Sequence, residues 1–290
     1  METDSGKMLN RTAIYGFGGL LRGLTSFLML PIYTRFLTPS DYGTIELLNI
    51  AIDMAAMLFG ARITAGMFRF YQMESHPDNK HKVITTSLYT TGMLNGLCIL
   101  FIVLFSTQIS QLVFGAEGYA YALSLFSLTL LFAAVGEVGM GYLRIEDRPY
   151  VYVGLSILKL AFQLSLNIYF VVYKEMAFMG VIYSALISGV IMFSGLGIYI
   201  FSKTGYAANW KLVRPMITFS MPIIFSSFAM FFIAFGDRYL LRIYHDINTV
   251  GIYALAYKFG AIYFSLIWAP FMTYWESKQY EFTKTEEGKK

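Results

Sequence analysis

Four basic residues, Arg22, Arg62, Lys159 and Lys258, fall inside long apolar runs of the chain. A charge at membrane depth costs at least about 2.5–3.5 kcal/mol on insertion scales, so such residues are functional candidates by default. Their shared chemistry is anion binding. A guanidinium pairs bidentately with phosphate oxygens, and an ammonium adds a compact point charge. Arg22 lies about ten residues, roughly 15 Å of helix rise, from either end of its run, too far for its side chain to reach the surface. Lining a cavity and closing a buried ion pair are its two readings.

Acids occupy the second run. Glu46, Asn49 and Asp53 are spaced i, i+3, i+7 and so share one helical face. Glu46 is near the outer end, where solvation is one reading. Asp53 is deeper, and its two readings are a proton- or sodium-coupling group and a structural partner of Arg22 or Arg62. Arg62, nine residues past Asp53, is roughly half a turn around the helix and faces elsewhere. The fifth run carries the longest polar stripe, Ser156, Lys159, Gln163 and Asn167. Lipid would not tolerate that stripe, so it predicts a face turned to a cavity or a second helix. Glu137, close to an inner end, reads as solvated.

Other chemistries lack their residues. His76, His81 and His245 are single residues in connectors, and Cys98 is the one cysteine, buried in an apolar run without a partner for an intrachain disulfide. No paired carboxylates, Ser/His/Asp set or metal-ligand spacing stands out in the loops. No catalytic residue, metal site or cofactor is therefore expected, and the chain does not read as an enzyme.

The elements that position these residues are membrane spans. Apolar residues make up 57% of the 290-residue chain and charged residues 14%, with a mean hydropathy of +0.56. Soluble domains run at roughly 45–50% and about 25%. A spanning helix needs about 20 apolar residues, and runs of that kind fall at 12–36, 44–70, 83–106, 119–141, 151–173, 177–201, 214–236 and 250–275. The fold class is therefore an all-α membrane protein of about eight transmembrane helices. The first run, which follows Lys7 and Arg11, is too long and too interrupted by Arg22 for a cleaved signal.

The cations between the runs set the orientation. With the N-terminus in the cytoplasm, fourteen Lys and Arg fall inside against four outside, Arg35, Lys174, Arg238 and Arg242. The positive-inside rule then predicts both termini in the cytoplasm. The net charge of +4 follows from this bias and is no nucleic-acid footprint, since the cations line no single face. Gly19/Gly23 and Gly92/Gly96 have the four-residue spacing that lets helices approach closely. Pro31, Pro222 and Pro270 each remove a backbone hydrogen bond within a span.

Two segments resemble each other. Tyr33-Thr34-Arg35-Phe36-Leu37-Thr38-Pro39-Ser40-Asp41-Tyr42-Gly43 joins spans one and two; Leu241-Arg242-Ile243-Tyr244-His245-Asp246-Ile247-Asn248-Thr249-Val250-Gly251 joins spans seven and eight. Each places a glycine that begins a helix eight or nine residues after an outer arginine. Span one then corresponds to seven and two to eight. The result is a six-helix unit repeated in parallel about an axis along the membrane normal.

The stretches LPIYTRFLTPSDYGTIELL and FGDRYLLRIYHDINTVGIYALAYKFG resemble the polysaccharide-biosynthesis flippases of the multidrug/oligosaccharidyl-lipid/polysaccharide exporter superfamily. The resemblance covers nearly the whole chain, through loose and largely apolar motifs. It implies two facing helix bundles around a central cavity, and movement of undecaprenyl-pyrophosphate-linked oligosaccharide, an O-antigen or capsule repeat unit, from the cytoplasmic to the outer leaflet of the cell membrane. Membrane lipid and the lipid-linked oligosaccharide are the partners it implies, with polysaccharide polymerase machinery as a further one.

The expected divisions are residues 1–205, the first six-helix bundle with its N-terminal tail, 206–275, two helices of a second bundle, and 276–290, a polar cytoplasmic tail. The family pattern has twelve to fourteen helices, so a piece that does not transport is one alternative reading. A multidrug exporter of the same superfamily is another, and its site should be acidic and aromatic. In the flippase reading Arg22, Arg62, Lys159, Gln163 and Lys258 line a cationic substrate cavity and Asp53 is the ion-coupling group.

Overall fold

The computed structural model describes residues 28–59 and 63–263, and they form helices and short connecting turns without a strand. Residues 28–36 are α1, the outer end of expected span one. Then come α2 (Pro39–Phe59), α3 (Ile63–Met73), α4 (Pro77–Leu104), α5 (Ser106–Phe114), α6 (Ala120–Ser127), α7 (Thr129–Ile145), α8 (Pro149–Asn167), α9 (Ala177–Thr204), α10 (Val213–Tyr244) and α11 (Ile247–Tyr263). Six helical stretches among the described residues are long and apolar enough to cross a membrane: Pro39–Met73, Pro77–Leu104, Glu117–Ile145, Pro149–Tyr173, Ala177–Thr204 and Trp210–Tyr244. They are expected spans two to seven. The protein is an all-α, multi-pass membrane protein.

Helix ends differ from the hydropathy boundaries where local chemistry decides. α4 starts at Pro77, six residues before its apolar run, because proline at the first helical position has no N–H to satisfy and Asp78 suits the positive end. The expected outer connector after span three is largely helix α5, which stops at Gly115 in the left-handed conformation (φ 74°). Between α6 and α7 the Ser127 hydroxyl donates to the Ser124 carbonyl at 2.7 Å and Thr129 to the Phe126 carbonyl at 2.6 Å. Such back-bonding competes with the helix ladder and breaks this span in two. After α8 the chain runs through one π-helical turn, Ile168–Tyr173.

Packing places α4, α7 and α9 side by side, with α8 on α7 and α9 and α3 on α4. Lipid provides little hydrophobic drive between helices, so small residues that allow close approach matter. Gly139 faces Leu196 and Ile200, Gly189 faces the Phe132 ring, and Gly66 lies where an added Cβ would stand 3.2 Å from the Met216 Cβ. These glycines join α7 to α9 and α3 to α10. The expected Gly92/Gly96 contact is not among them: no described atom comes within 4 Å of a Cβ at either position. Gly19, Gly23 and Pro270 lie outside the described residues, while Pro31 sits in α1 and Pro222 inside α10.

The α9–α10 connector starts at Gly205 (φ 68°) and is tied down on α4. The Asn209 N–H donates to Thr86 Oγ1 at 2.8 Å, and the Trp210 ring stacks on Tyr89 with centroids 6.0 Å apart. From there α10 runs 32 residues, about 48 Å, along α3 and α2. α11 returns beside α2 in the broadest helix contact of the fold.

Candidate functional site

The densest charged cluster among the described residues forms where α2, α10 and α11 meet. Its centre is Arg238, six residues before the end of α10 and only 2% exposed. Its Nε stands 2.9 Å from Glu46 Oε1 on α2, an ion pair by distance in which Nε makes no aligned hydrogen bond. The better-aligned bonds come from Nη1, which donates to the Ala234 carbonyl at 2.8 Å and to Asp237 Oδ1 at 3.1 Å. Asp237 Oδ2 accepts from the Tyr253 hydroxyl of α11 at 2.6 Å. Three rings surround the guanidinium, with centroids 4.4 Å (Tyr257), 5.2 Å (Phe235) and 5.8 Å (Tyr253) from its carbon. Pairing and cation–π contact are what make a cation tolerable at this depth.

Sequence reading puts Arg238 in an outer connector beyond a span that ends at 236, and gives solvation as one reading of Glu46. The end of the helix is corrected. The helix continues to Tyr244, and Glu46, with 15% of its side chain exposed, is engaged by Arg238. The signal was present in the FGDRY motif, where adjacent opposite charges follow an apolar run without any turn residue after them.

Lys258 of α11 joins this cluster. Its Nζ lies 4.8 Å from the centroid of the Tyr42 ring on α2, and Glu46 and Arg238 are the charged groups that act on it. Tyr42 is buried, meets Tyr33 edge to face at 6.2 Å, and its hydroxyl has no hydrogen-bond partner among the described residues. Asp53 is exposed on α2, two turns past Glu46, and Glu46 is the charge that acts on it. The described cluster thus sets Glu46, Asp53 and Asp237 against Arg238 and Lys258.

The other expected site residues fall elsewhere. Lys159 is exposed on α8, which packs chiefly on α7 and α9, whereas Lys258 lies on α11 against the Tyr42 ring of α2. Gln163 Oε1 accepts from the Ser188 hydroxyl of α9 at 2.5 Å, so this part of the polar stripe faces a second helix. Ser156 donates to the Tyr152 carbonyl at 2.8 Å, and Asn167 is 2% exposed with Oδ1 unpartnered among the described residues. Glu137 is exposed on α7. Arg22 and Arg62 lie outside the described residues. Among the described residues no three His, Cys, Asp or Glu side chains gather to hold a metal.

The neighbourhood is shaped by two glycines. A Cβ at Gly43 of α2 would collide with the Ile247 carbonyl oxygen, and one at Gly251 of α11 would collide with the Pro39 carbonyl oxygen. Each glycine, four residues into its helix, thus rests on the first residue of the other. This reciprocity is what two parallel copies of one motif related by a two-fold axis along the helices would make. Beyond Ala254 the burial of α11 ends: no described side chain from Leu255 to Tyr263 is buried. The tightest contact of the two helices is at their N-terminal ends, with Asp53 two turns past Glu46 and Lys258, four residues past Ala254, over the Tyr42 ring.

A model of the polysaccharide biosynthesis protein family matches residues 8–275. The chain belongs to that family. No curated protein and no solved structure matches it. For a polysaccharide biosynthesis protein built of membrane helices, the general role is that of a lipid-linked oligosaccharide flippase, typically a transporter and not an enzyme, working among membrane lipid and lipid-linked sugars. Within this family member the α2–α10–α11 junction brings together charge, aromatic surface and close backbone contact.

Proposed function

We propose that the chain moves an undecaprenyl-pyrophosphate-linked oligosaccharide, an O-antigen or capsule repeat unit, from the inner to the outer leaflet of the cytoplasmic membrane. Its termini lie in the cytoplasm, as the distribution of Lys and Arg favours. The first six-span unit, residues 1–205, and the spans of 206–275 rock against each other about a fixed site in alternating access. The carrying observation is the α2–α11 pair, closed at its outer end through Gly43 and Gly251 and exposed beyond Ala254. That shape suits a cleft open toward the cytoplasm, where the cargo starts.

Lys258 borders this cleft and supplies positive charge for the pyrophosphate, with Arg22, Arg62, Lys159 and Gln163 as further contacts in this reading. The exposed rings of Tyr257 and Phe259 offer stacking faces for sugars. Asp53, on the opposite helix, is the group for a coupling proton or sodium ion.

One observation favours the multidrug reading instead. The junction carries three carboxylates against two cations and a cage of aromatic rings, which is closer to a site for an organic cation. Complementation of a flippase-null bacterium separates the two. Restored surface polysaccharide that is lost with Lys258→Ala and kept with Lys258→Arg supports the flippase. An inserted chain that restores none, yet lowers the accumulation of a cationic dye through Asp53, supports the exporter.

A further inference from the structure

Nothing in a cationic cargo site calls for Arg238, Glu46, Gly43 or Gly251, yet these four make the tightest junction between the two repeat units. The glycine contact is backbone on backbone. It brings the helix ends as close as two helices can come, with Leu47 and Leu48 of α2 sharing one apolar cluster with Val250 of α11 beside it. Beside this apolar packing, the Glu46–Arg238 ion pair links the units. A buried ion pair adds little net stability over apolar residues of the same size, since desolvation of both charges offsets their attraction. It does make the junction depend on both partners, because either charge left alone there is costly.

A second tie lies nearer the outer end. The Arg242 guanidinium rests where a Cβ on Gly115 would be, beside the C-terminal turn of α5, whose free carbonyls favour a cation. The Tyr239 hydroxyl approaches the Leu112 carbonyl at 3.4 Å. Both residues lie on α10, within one turn of Arg238. All these ties are at one end of α2 and α11, and past Ala254 the side chains of α11 are no longer buried.

We propose that the Gly43–Gly251 contact is an outer gate, closed here, and that Arg238 is the positioning residue that latches it through Glu46. Closure depends on small residues at both helix starts and on a pair that separates as a unit. Opening parts Glu46 from Arg238 and lets the N-terminal end of α11 move away from that of α2, exposing Lys258 and Asp53 to the outside. This inference rests on the transporter reading for its purpose, but not on the identity of the cargo.

The test reads the gate directly. Cys98→Ala removes the one native thiol, and Asn49→Cys places a probe on α2 one turn past Glu46. In intact cells a membrane-impermeant maleimide is expected to label position 49 slowly. Glu46→Gln or Arg238→Gln should raise the labelling rate about tenfold or more, since each leaves one charge of a buried pair unpartnered. The exchanged pair, Glu46→Arg with Arg238→Glu, should return it toward the starting rate, which a merely structural arginine would not do.

Equal labelling in the well-inserted single variants would overturn the proposal, because the contact would then be a permanent seam. Should the single variants fail to insert, Ser40→Cys with Asn248→Cys decides on an otherwise intact latch. A short bifunctional cross-linker between these exposed helix starts stops transport if the gate must open, and leaves it unchanged if the seam is permanent. Labelling that follows the latch in a chain that moves no lipid-linked glycan would keep the gate and remove the proposed cargo.

Discussion

The starts of α2 and α11 are one device built twice, with its parts exchanged. At α2, Thr38 and Asp41 form a capping box: the Asp41 N–H donates to Thr38 Oγ1 at 3.1 Å, and the Thr38 N–H and hydroxyl donate to Asp41 Oδ2 at 3.0 and 2.6 Å. At α11 the acid comes first, and the N–H and hydroxyl of Thr249 both donate to Asp246 Oδ1 at 2.7 Å. Two residues after the second cap partner stands Gly43 in one and Gly251 in the other. Past the glycines the likeness stops. Glu46 corresponds to Ala254, Ile50 to Lys258 and Asp53 to Ala261. The backbone device is symmetric and the chemistry is one-sided. One helix carries the acids and its counterpart carries the base.

The symmetric part should break most severely. Gly43→Leu and Gly251→Leu are expected to cost the same, more than the roughly 1–3 kcal/mol of ordinary overpacking, because the new side chain meets a carbonyl and not a movable side chain. Gly92→Leu and Gly96→Leu, with open space around them, should cost little. Thermal stability in detergent, read by size-exclusion after heating, ranks the four. Unequal losses at 43 and 251 would argue against the two-fold relation.

Arg238→Ala comes next, at about 3–5 kcal/mol by the same measure, since Glu46 and Asp237 remain behind. Glu46→Leu combined with Arg238→Met should recover most of that loss while leaving the maleimide-reactive gate unlatched. Stability and gating would then separate, and recovery of both together would count against the latch.

On the one-sided chemistry, Lys258→Ala should lower surface polysaccharide by roughly tenfold, the usual scale for removing one charged contact to an anion. Lys258→Arg should keep most of it. Moving the base to the other repeat, Ile50→Lys in the Lys258→Ala background, tests whether position or merely charge matters.

The caps give the smallest effects. Thr38→Ala should cost about 1 kcal/mol, and the exchange Thr38→Asp with Asp41→Thr, which rewrites the first cap as the second, should be nearly silent. Hydrogen bonds from Thr249 hold the Asp246 carboxyl below the usual carboxylate range. A lowered value in the folded state means the cap contributes above the ordinary Asp value and is lost as pH falls through the lowered one. The protection of the Thr249 amide against exchange, after correction for the intrinsic pH dependence of exchange, should therefore fall on acidification, and Asp246→Asn should remove that dependence.

Much of this was legible in the residues. Hydropathy located six spans, though α4 starts six residues before its run and α10 ends eight residues after its own, because lipid accepts only helices whose backbone groups are satisfied internally. The repeat was visible around Gly43 and Gly251, and the polar stripe of α8 announced a face turned to another helix, found in the Gln163–Ser188 bond. Lys258 and Asp53 could be singled out by depth alone.

Which groups meet was decided by the tertiary structure. A hydropathy window must end at Asp237-Arg238, because it scores each charge as if it stood alone in lipid. α10 continues through them because Glu46, from a helix nearly 200 residues earlier, and rings of α10 and α11 shoulder that cost. Glycine spacing likewise marked Gly92 and Gly96, which meet no neighbour among the described residues, as readily as any pair that packs. The amino-acid sequence determined where helices can exist and which of their faces are polar, since both follow from local transfer energies. Only the folded chain decided which polar faces find each other, since pairing depends on atoms that the chain brings together from far apart.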